Sequence, residues 1–112
     1  MYTNQKELTM QDALESCKKE NLTLVLPRTA EDNNGMKTKA CDSFSQQPYG
    51  IWMGASKRKN DNKYLDVSGS PLKFTNWATD QPDTDSDCVV LSCMYKAWYT
   101  YGCTDTFPYF CQ

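Results

Sequence analysis

The chain has 112 residues, a formal net charge of −2 and 39% hydrophobic residues, enough for one core of ordinary size, so a single domain is expected over residues 1–112. The lack of a basic surplus argues against a nucleic-acid partner. No apolar run approaches the ~18 residues of a membrane span, and no N-terminal signal segment is read, so Met1 is expected to open a mature or shortened chain.

Taken in order, Thr9 is placed to cap a first helix, with Asp12 in capping-box spacing and Leu8 before it. Met10, Ala13, Leu14 and Cys17 then share one helical face, and Asn21 is the expected stop. Residues 22–26 (LTLVL) predict a short strand closed by Pro27, and a second helix is expected from Thr29 to Cys41 or Phe44, with Gly35 as a weak point inside it. After a turn over residues 46–50, residues 51–55 (IWMGA) predict a buried strand, and residues 57–63 (KRKNDNK) a solvated hairpin tip. Residues 64–84 hold scattered apolar side chains among Gly, Pro, Ser, Asn and Asp, which predicts a long irregular loop of the functional kind. Strands are expected over residues 89–91, 97–101 and 107–111. Two helices followed by short antiparallel strands make an α+β domain.

Six cysteines, at 17, 41, 88, 93, 103 and 111, show no CxxC spacing, and the chain has no histidine. Zinc and thioredoxin-type sites are thereby unsupported, and the commonest general base is missing. Three disulfides formed in an oxidising compartment are expected, so the chain is read as extracellular, either secreted or an ectodomain fragment. The sequon Asn21-Leu22-Thr23 agrees and makes Asn21 a glycosylation candidate.

The chain resembles the C-type lectin-like domain over nearly its whole length. The resemblance is carried by LTMQDALESC (residues 8–17), LVLPR with TAEDN (residues 24–33) and WMGA (residues 52–55). Asn76-Trp77, Gln81-Pro82-Asp83, Asp87-Cys88-Val89, Trp98 five before Cys103, and Phe110-Cys111 complete it. It implies a disulfide-stapled fold of two helices, antiparallel sheets and a long irregular loop, with Cys17–Cys111 and Cys88–Cys103 as the family bridges. Cys41 and Cys93 then remain as an extra pair. Cys93 stands five residues from Cys88, about 17 Å along a strand and on its other face, whereas a bridge needs Cα atoms within about 7 Å. The first helix begins too early for the added N-terminal hairpin and cysteine pair of long-form members, so a short-form domain is expected.

The stretch DQPDTDSDC (residues 80–88) raises the question of calcium. An EF-hand loop starting at Asp83 would need Gly at its sixth position and Glu at its twelfth; this chain has Cys88 and Met94. The lectin resemblance implies a different site, in which a Gln-Pro-Asp triplet with a cis proline supplies two ligands for galactose-type sugars. Gln81 and Asp83 match that triplet. The glutamate two before the third family cysteine is Ser86 here, and the Asn-Asp pair after the strand tryptophan is Tyr99-Thr100. Calcium wants roughly six to eight oxygens, and three of the five family positions are lost, even with Asp85 and Asp87 nearby. No metal or other cofactor is therefore expected, with Gln81 and Asp83 as weak calcium candidates only.

Tyr95, Tyr99 and Tyr101 fall on one face of a strand, either as half-buried strand residues or as an aromatic contact patch beside the long loop. The expected function is non-enzymatic binding of an extracellular protein or glycan, independent of calcium, through the long-loop end. The ligand-binding candidates are Gln81, Asp83, Asp85, Asp87, Tyr95, Tyr99 and Tyr101. The alternative is a calcium-dependent galactose-type lectin using Gln81 and Asp83.

Overall fold

The computed structural model describes residues 2–42 and 50–112. Its elements are β1 (Tyr2–Leu8), α1 (Met10–Lys19), α2 (Ala30–Asp42), β2 (Gly50–Lys57), β3 (Tyr64–Asp66), β4 (Cys88–Ser92), β5 (Ala97–Tyr101) and β6 (Phe107–Cys111).

Both helices start where short polar side chains satisfy the free N–H groups of a first turn. Thr9 Oγ1 accepts from the Asp12 N–H at 3.3 Å, and Thr29 Oγ1 from the Asp32 N–H at 3.0 Å. Asn21, just past α1, takes a left-handed φ of 59°, a conformation Asn tolerates well, and its N–H bonds the Lys18 carbonyl. α2 ends at Asp42; the expected extension to Phe44 and the turn over residues 46–49 lie outside the described residues.

The strands form one six-stranded sheet in the order β1-β6-β2-β4-β5, with β3 paired to β2. It is mixed rather than wholly antiparallel, because β2 and β6 run parallel at Trp52 and Tyr109. β1 was not expected from the polar segment YTNQKEL. It sits at the sheet edge, held by its backbone ladder to β6, where no continuous apolar pattern is required. Residues 22–26 do not form the expected strand. Leu24 makes an isolated bridge to Cys111, and Gly54 N–H reaches the Val25 carbonyl at 2.9 Å. A Cβ on Gly54 would lie 2.8 Å from the Leu24 carbonyl oxygen, so this close approach requires glycine.

Strand alternation sorts the core into two layers. Trp52, Val90 and Tyr109 face α1 through Met10, Ala13 and Cys17. Ile51, Met53, Val89, Leu91 and Trp98 face Met36 of α2 and the partly buried Leu72, Phe74 and Trp77 of the long loop. Cys17–Cys111 ties α1 to β6, Cys41–Cys93 ties α2 to the end of β4, and Cys88–Cys103 closes the β4–β5 region. The long loop begins later than expected: residues 64–66 are β3, in register with Ala55, Ser56 and Lys57. Three residues are too few for a periodic signal, and the buried side chains of Tyr64 and Asp66 hold the strand in place.

Candidate functional site

The long loop leaves β3 through Asp66. Its buried carboxylate accepts from the Ser68 N–H and hydroxyl at 2.9 and 2.6 Å and from the Ser70 N–H at 3.0 Å, with Arg28 at 3.6 Å. The bond from the Ser68 hydroxyl, followed by that from the Ser70 N–H, holds this carboxyl below the usual carboxylate range. Leu72, Phe74 and Trp77 then turn inward, and Trp77 meets Trp98 edge to face at 5.6 Å and Tyr64 at 5.3 Å. The backbone follows β5 at that point: Trp98 N–H bonds the Asn76 carbonyl, and Ala78 N–H the Trp98 carbonyl. Trp98 is itself fully buried, and its indole N–H donates to Asn33 Oδ1 at 3.0 Å.

The return of the loop carries the aspartate stretch. Gln81–Pro82 is cis, and Asp80 takes a φ of 66°. The Gln81 side chain points at β5, where its Oε1 accepts from the Thr100 N–H at 3.0 Å and faces the Thr100 hydroxyl at 2.9 Å. That hydroxyl also lies 3.1 Å from the Asp83 carbonyl oxygen, and it accepts from the Asp83 N–H at 3.1 Å. The Asp83 carboxylate is exposed and accepts the Asp85 N–H at 3.0 Å, forming a local turn.

Two side chains from the β2–β3 hairpin fasten the rest of the segment. Tyr64 donates its hydroxyl toward the carbonyls of Ser86 (2.6 Å) and Asp83 (3.1 Å). Burial pushes its pKa up to about 12, with Asp87 and Asp83 adding to the shift. The Lys57 ammonium contacts the Thr84 carbonyl and stands 3.2 Å from the Asp87 carboxylate. Lys57 belongs to the end of β2 and is largely covered, not to a free hairpin tip as the lysine-rich stretch suggested.

The structure therefore brings Gln81, Asp83, Asp85 and Asp87 together and adds Tyr64 and Lys57, which sequence reasoning did not single out, and Thr100, which it read only as a lost ligand position. The alternation of β5 was a usable signal for Thr100, since it shares a face with core Trp98. The tyrosines stand apart. Tyr99 and Tyr101 occupy the opposite face of β5 from Thr100 and pack against the layer that contains Trp52 and Phe107, so they do not continue the loop surface. Tyr101 meets Phe107 edge to face at 5.2 Å, and Tyr95, 63% exposed in the β4–β5 turn, lies 5.9 Å from Tyr99. Among the described residues, no three acidic or cysteine side chains converge as a metal cluster. Beside the loop, a cleft of about 450 Å³ is lined by Lys63, Tyr64, Leu72, Trp77 and Pro82.

Two helices against a mixed sheet, three disulfides and a long loop pinned to β5 define a lectin-type fold, and residues 6–112 match the Lectin C-type domain family. The chain belongs to that family. It is 29% identical to human tetranectin over 110 residues, covering 93% of this chain and 54% of tetranectin. The chain thus spans about half the length of the curated relatives it matches. Among solved structures, human lithostathine superposes with a TM-score of 0.89 at 23% identity, covering 98% of this chain and 87% of that one. A calcium-independent type II antifreeze protein superposes with a TM-score of 0.83 at 18% identity, over 98% of this chain and 82% of the other. Among the described residues, no helix is long and apolar enough to cross a membrane.

Proposed function

We propose that this chain is an extracellular, non-enzymatic recognition module that binds a protein or glycan partner through its long-loop end without calcium. The observation that carries this reading is the use made of Gln81. Its side-chain carbonyl, the oxygen that a galactose-type site would present to the ion, instead accepts from the N–H and faces the hydroxyl of Thr100. Thr100 is neutral, and Lys57 brings an ammonium against Asp87 on the other side of the segment. A hard cation seeking roughly six to eight oxygens meets here a spent amide, a neutral hydroxyl and a competing positive charge. The residues present do not fit calcium.

The surface that remains suits recognition. Asp83 and Asp85 are exposed at the loop edge. The adjoining cleft offers Trp77 and Pro82 as apolar walls with Lys63 on the rim, the mixture of aromatic body and polar edge found in binding sites. The three disulfides and the exposed Asn21 sequon support an extracellular setting.

A glycan and ectodomain array, run with calcium and again with chelator, tests the proposal. The expected result is one set of partners whose signals survive chelation and fall when Asp83 and Trp77 are replaced. Binding of galactose-type sugars that is released by chelator would favour the calcium-dependent alternative through Gln81 and Asp83.

A further inference from the structure

A second apolar surface lies between the outer side of α1 and the first residue of the long loop. Leu14 and Lys18 of α1, Leu22, Thr23 and Val67 line a groove of about 420 Å³. Val67 is 47% exposed, and the other exposed large apolar side chains among the described residues, Met94 and Tyr95, sit together in the β4–β5 turn. Val67 and the half-exposed Leu14 and Leu22 give this groove its apolar lining.

The chain carries a candidate cover at the edge of this groove. Asn21 stands between two of the lining residues, Lys18 and Leu22, in the turn that ends α1, and it is exposed. It is the acceptor of the sequon Asn21-Leu22-Thr23, and Thr23, the sequon hydroxyl, is itself a lining residue. We propose that Asn21 carries an N-linked glycan whose inner N-acetylglucosamine residues lie in the Leu14–Leu22–Val67 groove. A pyranose ring has an apolar face of C–H groups that suits leucine and valine. Its hydroxyl and acetamido groups find polar partners on the rim at Lys18 and Gln11. Attachment removes most of the translational cost of binding, so a shallow groove is sufficient. The glycan thereby becomes part of the fold on this side. The inference takes from the preceding section only that the chain passes through the secretory route.

The test is secretion of the full chain from a glycosylating cell line, followed by intact mass and thermal melting, with no recognition ligand present. Asn21 is expected to carry one glycan, which Asn21→Gln abolishes. Enzymatic removal from the folded protein should lower the melting midpoint by about 2–4 °C. Trimming to a single N-acetylglucosamine should retain most of the gain, and Val67→Ser should remove most of the difference between glycosylated and deglycosylated chains. Enzymatic removal keeps the test valid if Asn21→Gln folds poorly. An unmodified Asn21, a midpoint unmoved by deglycosylation, or an equal drop in Val67→Ser would each overturn the proposal. Because the readout is melting, these outcomes are independent of the array result for the long-loop end.

Discussion

Gln81 Oε1 and Thr100 Oγ1 lie 2.9 Å apart, joining the tip of the long loop to β5 across nineteen residues of chain. The adjacent bond from the Thr100 N–H to the same oxygen makes this a two-point clasp, and the Asp83 N–H donates to the Thr100 hydroxyl. Thr100→Val keeps the shape and removes the hydroxyl, stripping this buried position of its side-chain hydrogen bonds. A loss of about 1–2 kcal/mol is expected in urea unfolding, with faster amide exchange at Asp83. Unchanged exchange there would separate Thr100 from the loop.

On the facing side Lys57 supplies the positive charge. Lys57→Met retains the apolar stem and deletes the ammonium that meets Thr84 and Asp87. Asp87 is half exposed and stays hydrated when its partner is gone, so the stability change is expected to be small, about 1 kcal/mol. The larger effect is local: amides of residues 84–87 should exchange several-fold faster, read by hydrogen exchange, while α1 and β6 are unaffected.

Asn33 and Trp98 form the buried hydrogen bond between α2 and β5. Asn33→Ala would leave an indole N–H without a partner where water does not reach, at a cost of about 1–3 kcal/mol. Asn33→Asp keeps a carbonyl acceptor while its carboxyl is protonated and should be less damaging at acid pH than at neutral pH, where an unpaired carboxylate would have to stay buried. Chemical denaturation of the two variants checks the order.

These relationships differ in how far the sequence revealed them. Thr9–Asp12 and Thr29–Asp32 act within one helical turn, so the spacing of residue types is enough to read them. The apolar runs of β4 and β6 are read equally easily because both faces of those strands are buried. β1 escapes notice because an edge strand of polar residues is held by backbone pairing, which leaves no side-chain pattern. Thr100 reads in sequence as a missing calcium ligand, and only the fold places it against Gln81, where it becomes a replacement bond. Tyr99 and Tyr101 share a face opposite Trp98, as alternation requires, yet only the fold shows that this face packs toward Phe107 and not beside the long loop.

Tyr64 gives the loop a high-pH signature. Its phenol is pushed up to about 12, first by burial and then by Asp87 and Asp83, whereas an unfolded tyrosine titrates near 10. A raised folded value means that its stabilising effect is complete below pH 10 and is lost as pH rises from about 10 toward 12. Wild-type stability should fall in that window, and Tyr64→Phe should fall less. Absorbance titration of the phenols, compared between wild type and Tyr64→Phe, identifies the group; an ordinary titration near 10 would remove this part of the account.

The central claim is that internal hydrogen bonds and a lysine occupy the role a calcium ion would have at the long-loop end. Isothermal titration of calcium into chelator-stripped protein tests it most directly. The account predicts no saturable heat up to millimolar calcium and no shift in the melting midpoint. Stoichiometric micromolar binding, lost on replacing Gln81 or Asp83, would contradict it.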